Sequence, residues 1–110
     1  MLKPLNDRRI IVTGGASGMG EALVRALPEL GARVVSIDLA ADAGAAIAQE
    51  SGASFVECDV SSEESVQVAF KSAVADLGGL DVLIHAAGVI PDTRGPAENG
   101  TLDTWNRVLA

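Results

Sequence analysis

The chain has 110 residues, of which 48% are hydrophobic and 21% are charged, a composition typical of a single globular domain. Its formal net charge of −7 opposes binding to a nucleic-acid backbone, and no apolar run approaches the roughly 20 residues that a transmembrane helix needs. Because the N-terminus also lacks the hydrophobic segment of a signal peptide, the sequence predicts a cytoplasmic protein without nucleic-acid or membrane partners.

Four short runs rich in β-branched residues predict strands at residues 9–13, 33–38, 54–58 and 81–85. Stretches of helical periodicity lie between these runs. The strict alternation of strand and helix predicts a parallel sheet with right-handed crossover connections, in the spatial order 3-2-1-4. The predicted fold is therefore a Rossmann-type α/β fold with helices on both faces of the sheet.

Apolar residues at helical spacing predict the buried faces of the first and third helices. In the first helix these residues are Met19, Leu23, Leu27 and Leu30. In the third helix they are Val66, Ala69, Phe70, Ala73, Val74 and Leu77. Ser61 and Glu64 have the spacing of a capping box at the start of the third helix, and Gly78 followed by Gly79 predicts its end. Pro28 predicts a kink in the last turn of the first helix.

The last part of the sequence predicts a loop and one more helix. The loop, residues 88–100, follows the fourth strand at the edge of the sheet where ligands bind in such folds. Thr101 is positioned to cap the helix that follows it. Because a complete sheet of the Rossmann type has about six strands, we expect residues 1–110 to form the N-terminal part of one Rossmann domain.

A glycine-rich segment at residues 13–20, Thr-Gly-Gly-Ala-Ser-Gly-Met-Gly, connects the first strand to the first helix. In this position, glycines allow a tight turn and let the backbone approach a diphosphate closely. The free amides and the dipole of the helix N-terminus would then bind the phosphate charge. The alternative interpretation is an ordinary turn between a strand and a helix.

Asp38 ends the second predicted strand, and its distance from Gly20 is close to the roughly 20 residues expected for an acid that binds the adenosine ribose. The alternative is that Asp38 only caps the following helix. A carboxylate here would repel the 2′-phosphate of NADP, and the neighbouring Ser17 and Leu39 carry no positive charge that could bind it. The sequence therefore favours NAD over NADP as the cofactor.

Thr13, Gly14, Gly18 and Gly20 match a Thr-Gly-x-x-x-Gly-x-Gly spacing, and on these residues the chain resembles the short-chain dehydrogenase/reductase family. The extended branch of that family has a glycine where Ser17 stands. The resemblance continues through residues 59–60, Asp-Val, where the family holds the adenine ring, and covers essentially the whole chain. The cofactor-binding residues that it implies are Gly14, Ser17, Gly18, Met19, Gly20, Asp38, Leu39, Asp59, Val60, Ala86, Ala87 and Gly88.

The segment after the fourth strand, His-Ala-Ala-Gly at residues 85–88, departs from the Asn-Asn-Ala-Gly of the family. Ala86 cannot make the side-chain hydrogen bonds by which an asparagine stabilises the central sheet, so only backbone contacts to the cofactor are expected here. His85 is interpreted as a hydrogen-bonded structural residue, with a catalytic base as the alternative. The single cysteine, Cys58, excludes an intrachain disulfide and a thiolate metal cluster, and we predict a small buried residue.

The reaction of the family uses a Tyr-x-x-x-Lys pair with a serine, but this sequence contains no tyrosine. Its lysines, Lys3 and Lys71, lie in the N-terminal segment and in a middle helix, so no catalytic residue is assigned. The resemblance thus implies that residues 1–110 are the dinucleotide-binding part of the domain, without its catalytic and substrate-binding remainder. The resemblance implies that the full-length protein is a dimeric or tetrameric oxidoreductase that transfers hydride between NAD(P) and an alcohol or carbonyl substrate. The alternative is a truncated, non-catalytic module that binds a nucleotide or a partner.

Overall fold

A computed structural model describes residues 3–86 of the chain. The strands are β1 (Arg9–Thr13), β2 (Arg33–Asp38), β3 (Ser54–Glu57) and β4 (Val82–His85). The helices are α1 (Gly18–Ala26), α2 (Ala41–Ser51) and α3 (Glu63–Leu77), with a 3₁₀ helix (Pro28–Leu30) after α1. Across residues 3–86, none of the helices combines the length and the apolar character needed to cross a membrane.

The four strands form one parallel sheet in the order β3-β2-β1-β4, which confirms the predicted topology. β3 and β4 are each one residue shorter than predicted. Thr13 at the end of β1 is paired in register with Ile37 on β2 and with His85 on β4. Because the strands run in the same direction, their carboxyl ends meet at one edge of the sheet, where the loops to the following helices begin.

The sheet separates two apolar cores because successive side chains of a strand point to opposite faces. α1 and α2 cover one face, whose core consists of Ile10, Val12, Val24, Leu27, Ala32, Val34 and Ile47. α3 covers the other face, whose core consists of Ile11, Val35, Ile37, Cys58, Ala69, Ala73 and Leu77. Helices on both faces are the predicted arrangement, and the prediction of a buried Cys58 is also confirmed.

The predicted buried face of α1 is wrong at both of its ends. Met19 is 75% exposed and Leu30 is 40% exposed, whereas Gly20 is buried. A Cβ on Gly20 would collide with the carbonyl group of Gly14, so the helix approaches the preceding loop through Gly20 and leaves Met19 on the solvent side. Leu30 lies outside α1, because Pro28 begins a separate 3₁₀ helix instead of kinking the last turn.

The start of α3 also differs from the prediction. Ser62, rather than Ser61, is the N-cap, and its hydroxyl accepts the amide hydrogen of Ser65 at 3.2 Å. Ser61 instead donates its amide and hydroxyl hydrogens to the Asp59 carboxylate, which leaves it unavailable to cap the helix. The apolar face of α3 and its end at Gly78, where φ is 78°, are as predicted.

Candidate functional site

The glycine-rich loop joins β1 to α1 at the carboxyl edge of the sheet. Gly14 has a φ of 76° and donates its amide hydrogen to the carbonyl of Ile37 on β2 at 2.7 Å, which directs the loop toward that strand. Close contacts exclude a side chain at Gly15, where a Cβ would meet the Ser36 hydroxyl, and at Gly20. The loop therefore lies flat against the sheet and α1, with little side-chain volume between its backbone and an approaching ligand.

The N-terminus of α1 presents backbone amides that no side chain caps in the described part of the chain. Ser17 is the N-cap residue and has an extended backbone, but its hydroxyl makes no capping hydrogen bond. Gly18 has a φ of 57°, and the space into which its Cβ would project contains no heavy atom within 4 Å. Because the helix dipole places partial positive charge at these amides, they form a site suited to a phosphate group.

The Asp38 carboxylate connects the glycine loop to the turn between β2 and α2. Its Oδ2 accepts the amide hydrogen of Ala16 at 3.0 Å, and its Oδ1 accepts that of Ala40 at 2.9 Å. Ala40 is the N-cap residue of α2, which argues against the alternative in which Asp38 only caps that helix. Each carboxylate oxygen retains a further lone pair, so this half-exposed side chain can accept additional hydrogen bonds from hydroxyl groups.

Two large apolar side chains are exposed at the same edge of the sheet. Met19, in the first turn of α1, is 75% exposed, and Leu39, directly after β2, is 64% exposed. Small-molecule sites typically combine such apolar surface with a few polar groups that fix the orientation of the ligand. This edge combines uncapped amides, a carboxylate and apolar surface.

A second carboxylate, Asp59, lies in the turn from β3 to α3. Its Oδ1 accepts the hydroxyl hydrogen of Ser61 at 2.6 Å and the amide hydrogen of the same residue at 2.9 Å. These hydrogen bonds hold the pKa of Asp59 below its usual value. The amide of Asp59 donates to Ser65 Oγ at 3.0 Å, and Val60 packs against the core beneath α3. The turn therefore presents an ionised carboxylate in a defined orientation.

The end of β4 is hydrogen-bonded to the residue that precedes the glycine loop. Nδ1 of His85 lies 2.8 Å from Oγ1 of Thr13, and the amide of Ala86 donates to the Thr13 carbonyl at 3.0 Å. His85 is therefore hydrogen-bonded, in agreement with its interpretation as a structural residue. The predicted sites and elements that lie outside the described residues are Ala87, Gly88, the loop at residues 88–100 and the helix beginning at Thr101.

Three residues without a predicted role in cofactor binding contribute to this edge. Ser61 and Ser65 orient the turn that carries Asp59, and the Asp-x-Ser spacing at residues 59–61 is a signal for such a local turn. Ala16 contributes its amide to Asp38, and no side-chain pattern could indicate a group that belongs to the backbone. The structure thus brings the glycine loop and Asp38 into direct contact.

The doubly covered parallel sheet and the glycine loop at its carboxyl edge define a Rossmann-type, NAD(P)-binding class of domain. The family model described as short chain dehydrogenase matches residues 8–110 of the chain. The chain therefore belongs to the short-chain dehydrogenase/reductase family, as the resemblance implied.

Individual relatives are similar over nearly the whole chain. A (+)-cis,cis-nepetalactol synthase from Nepeta racemosa is 38% identical over an alignment of 113 positions, which spans 99% of this chain and 42% of the relative. A 3-ketoacyl-(acyl-carrier-protein) reductase from Brucella melitensis, complexed with NADH, superposes with a TM-score of 0.76 at 29% identity. The match covers 94% of this chain and 43% of the reductase.

A blue fluorescent protein from a metagenomic library, in complex with NADPH, superposes with a TM-score of 0.75 at 32% identity, over 94% of this chain and 44% of that one. The chain thus spans slightly more than two fifths of the length of these relatives. The solved structures include one with NADH and one with NADPH, so family membership alone does not distinguish the two cofactors. These relatives include a synthase and a reductase, so the family comprises more than one reaction.

Proposed function

We propose that this chain forms the NAD-binding part of an oxidoreductase that transfers hydride between a nicotinamide ring and a small alcohol or carbonyl compound. The observation that carries the proposal is the hydrogen bond between Asp38 and Ala16, which puts a carboxylate against the glycine loop. A dinucleotide presents a diphosphate and a ribose diol side by side. The amides of α1 and the Asp38 carboxylate complement these two groups in charge and in hydrogen-bonding capacity.

The residues at the edge have separate tasks in this proposal. The first-turn amides of α1 bind the diphosphate, for which the open space beyond Gly18 leaves room. Asp38 accepts hydrogen bonds from the ribose hydroxyls, and Asp59 accepts one from the amino group of adenine. The exposed side chains of Met19 and Leu39 supply apolar contacts. Val60, packed against the core, supports the turn that carries Asp59, and we assign backbone contacts with the cofactor to residues 86–88.

The preference for NAD over NADP follows from charge. A 2′-phosphate at the adenosine ribose would lie next to the Asp38 carboxylate, and like charges at such a distance repel. Arginine or lysine at a neighbouring position could compensate for that repulsion, but Ser17 and Leu39 are neutral. We therefore infer that the 2′-hydroxyl form of the cofactor binds more tightly.

Catalysis and assembly are assigned to the full-length protein. Bound NAD would supply the hydride acceptor, and its reduced form the hydride donor. The tyrosine that acts as acid or base in this family is not among these 110 residues, so the residues described above bind and orient the cofactor. Small-molecule substrate binding, a dimeric or tetrameric state and a cytoplasmic location belong to the same proposal.

Titration calorimetry on the full-length protein tests the cofactor assignment. We expect NAD to bind more tightly than NADP, and Asp38→Ala to weaken NAD binding by about 10- to 100-fold, the range for lost hydrogen bonds to a charged group. Adding Leu39→Arg to Asp38→Ala is expected to reverse the preference toward NADP, because the guanidinium can bind the 2′-phosphate.

Asp42→Ala is the matched control, since Asp42 is an exposed carboxylate in the first turn of α2 and its loss changes the net charge equally. This variant should bind NAD like the wild type. Unchanged NAD affinity in Asp38→Ala would remove the ribose assignment. Binding of NAD without turnover of any alcohol or carbonyl compound would favour the non-catalytic nucleotide-binding module instead.

A further inference from the structure

We propose that His85 is a positioning residue, which holds the glycine loop in its diphosphate-binding conformation through a hydrogen bond to Thr13. Nδ1 of His85 and Oγ1 of Thr13 are 2.8 Å apart, and the two residues are paired in register across β4 and β1. The inference rests on the proposed function, because it assigns His85 a role in the binding of NAD at that loop.

Thr13 is the last residue before the loop, and its position is fixed from both neighbouring strands. On one side, the Thr13 carbonyl accepts the amide hydrogen of Ala86 at 3.0 Å, and its hydroxyl contacts His85. On the other side, Gly14 donates to the carbonyl of Ile37 at 2.7 Å. The direction in which the backbone leaves the sheet, and hence the position of the amides that follow, depends on these contacts.

The burial and the hydrogen-bonding capacity of Thr13 favour a stable hydrogen bond to His85. Thr13 is 1% exposed, so the imidazole takes the place of the water to which its hydroxyl would otherwise be hydrogen-bonded. A hydroxyl both donates and accepts, so it can bond to Nδ1 in either tautomer of the ring. The methyl side chain of Ala86 offers no polar atom, so among residues 85 and 86 only His85 can make this side-chain contact.

The role differs from that of a binding residue, because His85 acts through Thr13. Diphosphate binding depends on several amides that converge on one group, and small displacements of preorganised donors reduce affinity. Loss of the His85 contact should therefore weaken NAD binding even though the amides themselves remain.

The test measures NAD affinity and thermal unfolding of the full-length protein for His85→Ala, Thr13→Val and the double variant. Each single substitution is expected to weaken NAD binding by about two- to tenfold, the range that corresponds to the net contribution of one hydrogen bond. The double variant should have the same NAD affinity as the single variant that binds NAD less tightly, because both substitutions remove the same contact. Thr13→Ser, which retains the hydroxyl, should bind NAD like the wild type.

Arg9→Met is the structural control, since Arg9 lies at the opposite end of β1 and should affect thermal unfolding without affecting NAD affinity. If His85→Ala lowers only the unfolding temperature and leaves NAD affinity unchanged, the positioning role is wrong while the proposed function stands. Additive losses in the double variant would also overturn the inference, because the two side chains would then act independently. Failure of the wild-type protein to bind NAD would instead overturn the proposed function, and the inference with it.

Discussion

At the amino end of the sheet, the Arg9 guanidinium donates hydrogen bonds to both carboxylate oxygens of Asp81, each at 3.1 Å. It also donates to the Gly78 carbonyl at 2.9 Å. At the carboxyl end, the first-turn amides of α1 have no side-chain cap, and Asp38 retains acceptor capacity. The amino end thus satisfies its polar groups within the chain, whereas the carboxyl end keeps some of them available to a ligand.

A second arginine reinforces the amino end. Arg33, at the start of β2, donates to the carbonyls of Leu77 at 2.9 Å and Asp76 at 3.3 Å, in the last turn of α3. The carbonyls in the last turn of a helix have no partner within the helix, and the dipole there favours a positive charge. We therefore expect stability and NAD binding to depend on opposite edges of the sheet, so that substitutions can separate the two.

The largest effect on binding is expected from Gly20→Ala at the carboxyl end. The new Cβ would collide with the Gly14 carbonyl, a backbone atom that cannot move aside without displacing the loop. We expect NAD binding too weak to measure by calorimetry, together with a fall of about 1–3 kcal/mol in the free energy of unfolding, as for other overpacked sites. Urea unfolding measures the second quantity.

Gly52→Ala provides the comparison for that variant. Gly52 ends α2 with a φ of 83° and has open space around its Cβ position, so alanine costs about 1–2 kcal/mol through backbone strain alone. Its NAD affinity should equal that of the wild type. Equal loss of NAD binding in both variants would show that general destabilisation, rather than displacement of the glycine loop, explains the effect of Gly20→Ala.

A pH-dependent effect on stability is expected from Arg9→Met at the amino end. Hydrogen bonds from Arg9 lower the pKa of Asp81 from 3.8 to about 2. A carboxyl group whose folded pKa is depressed stabilises the protein above its unfolded pKa and loses that contribution as the pH falls through the folded value. Arg9→Met should therefore unfold at a lower temperature than the wild type at pH 7, and the difference should shrink between pH 4 and pH 2.

Salt is the second variable in that experiment, because Arg9 and Asp81 are both partly exposed and their attraction is screened. We expect the difference in unfolding temperature at pH 7 to be modest and to decrease as salt is added. A difference independent of pH would show that the hydrogen bond to Gly78 stabilises this end, rather than the ion pair. Weaker NAD binding in Arg9→Met would contradict the expectation that stability and NAD binding depend on opposite ends of the sheet.

Local patterns predicted most of the fold, and what they missed depends on competing local hydrogen bonds or on contacts between distant residues. The strands and the end of α3 follow from residue type and periodicity, which act over a few positions. The strand order follows from the alternation of strands and helices along the chain. Ser61 has the spacing of a helix cap, but it donates its amide and hydroxyl hydrogens to the nearby Asp59 carboxylate instead. The contact between Ala16 and Asp38 depends on how β1 and β2 are paired, which no single segment of sequence specifies.

The smallest effect is expected from Ser36→Ala, directly beneath the glycine loop. Among the described residues, Ser36 Oγ is buried without a hydrogen-bond partner, and a Cβ on Gly15 would collide with it. Because burial of an unpaired hydroxyl is unfavourable, its removal should raise the free energy of unfolding by up to about 1 kcal/mol. NAD affinity should not change. Urea unfolding that shows a loss of stability would mean that the hydroxyl has a hydrogen-bond partner, such as a buried water.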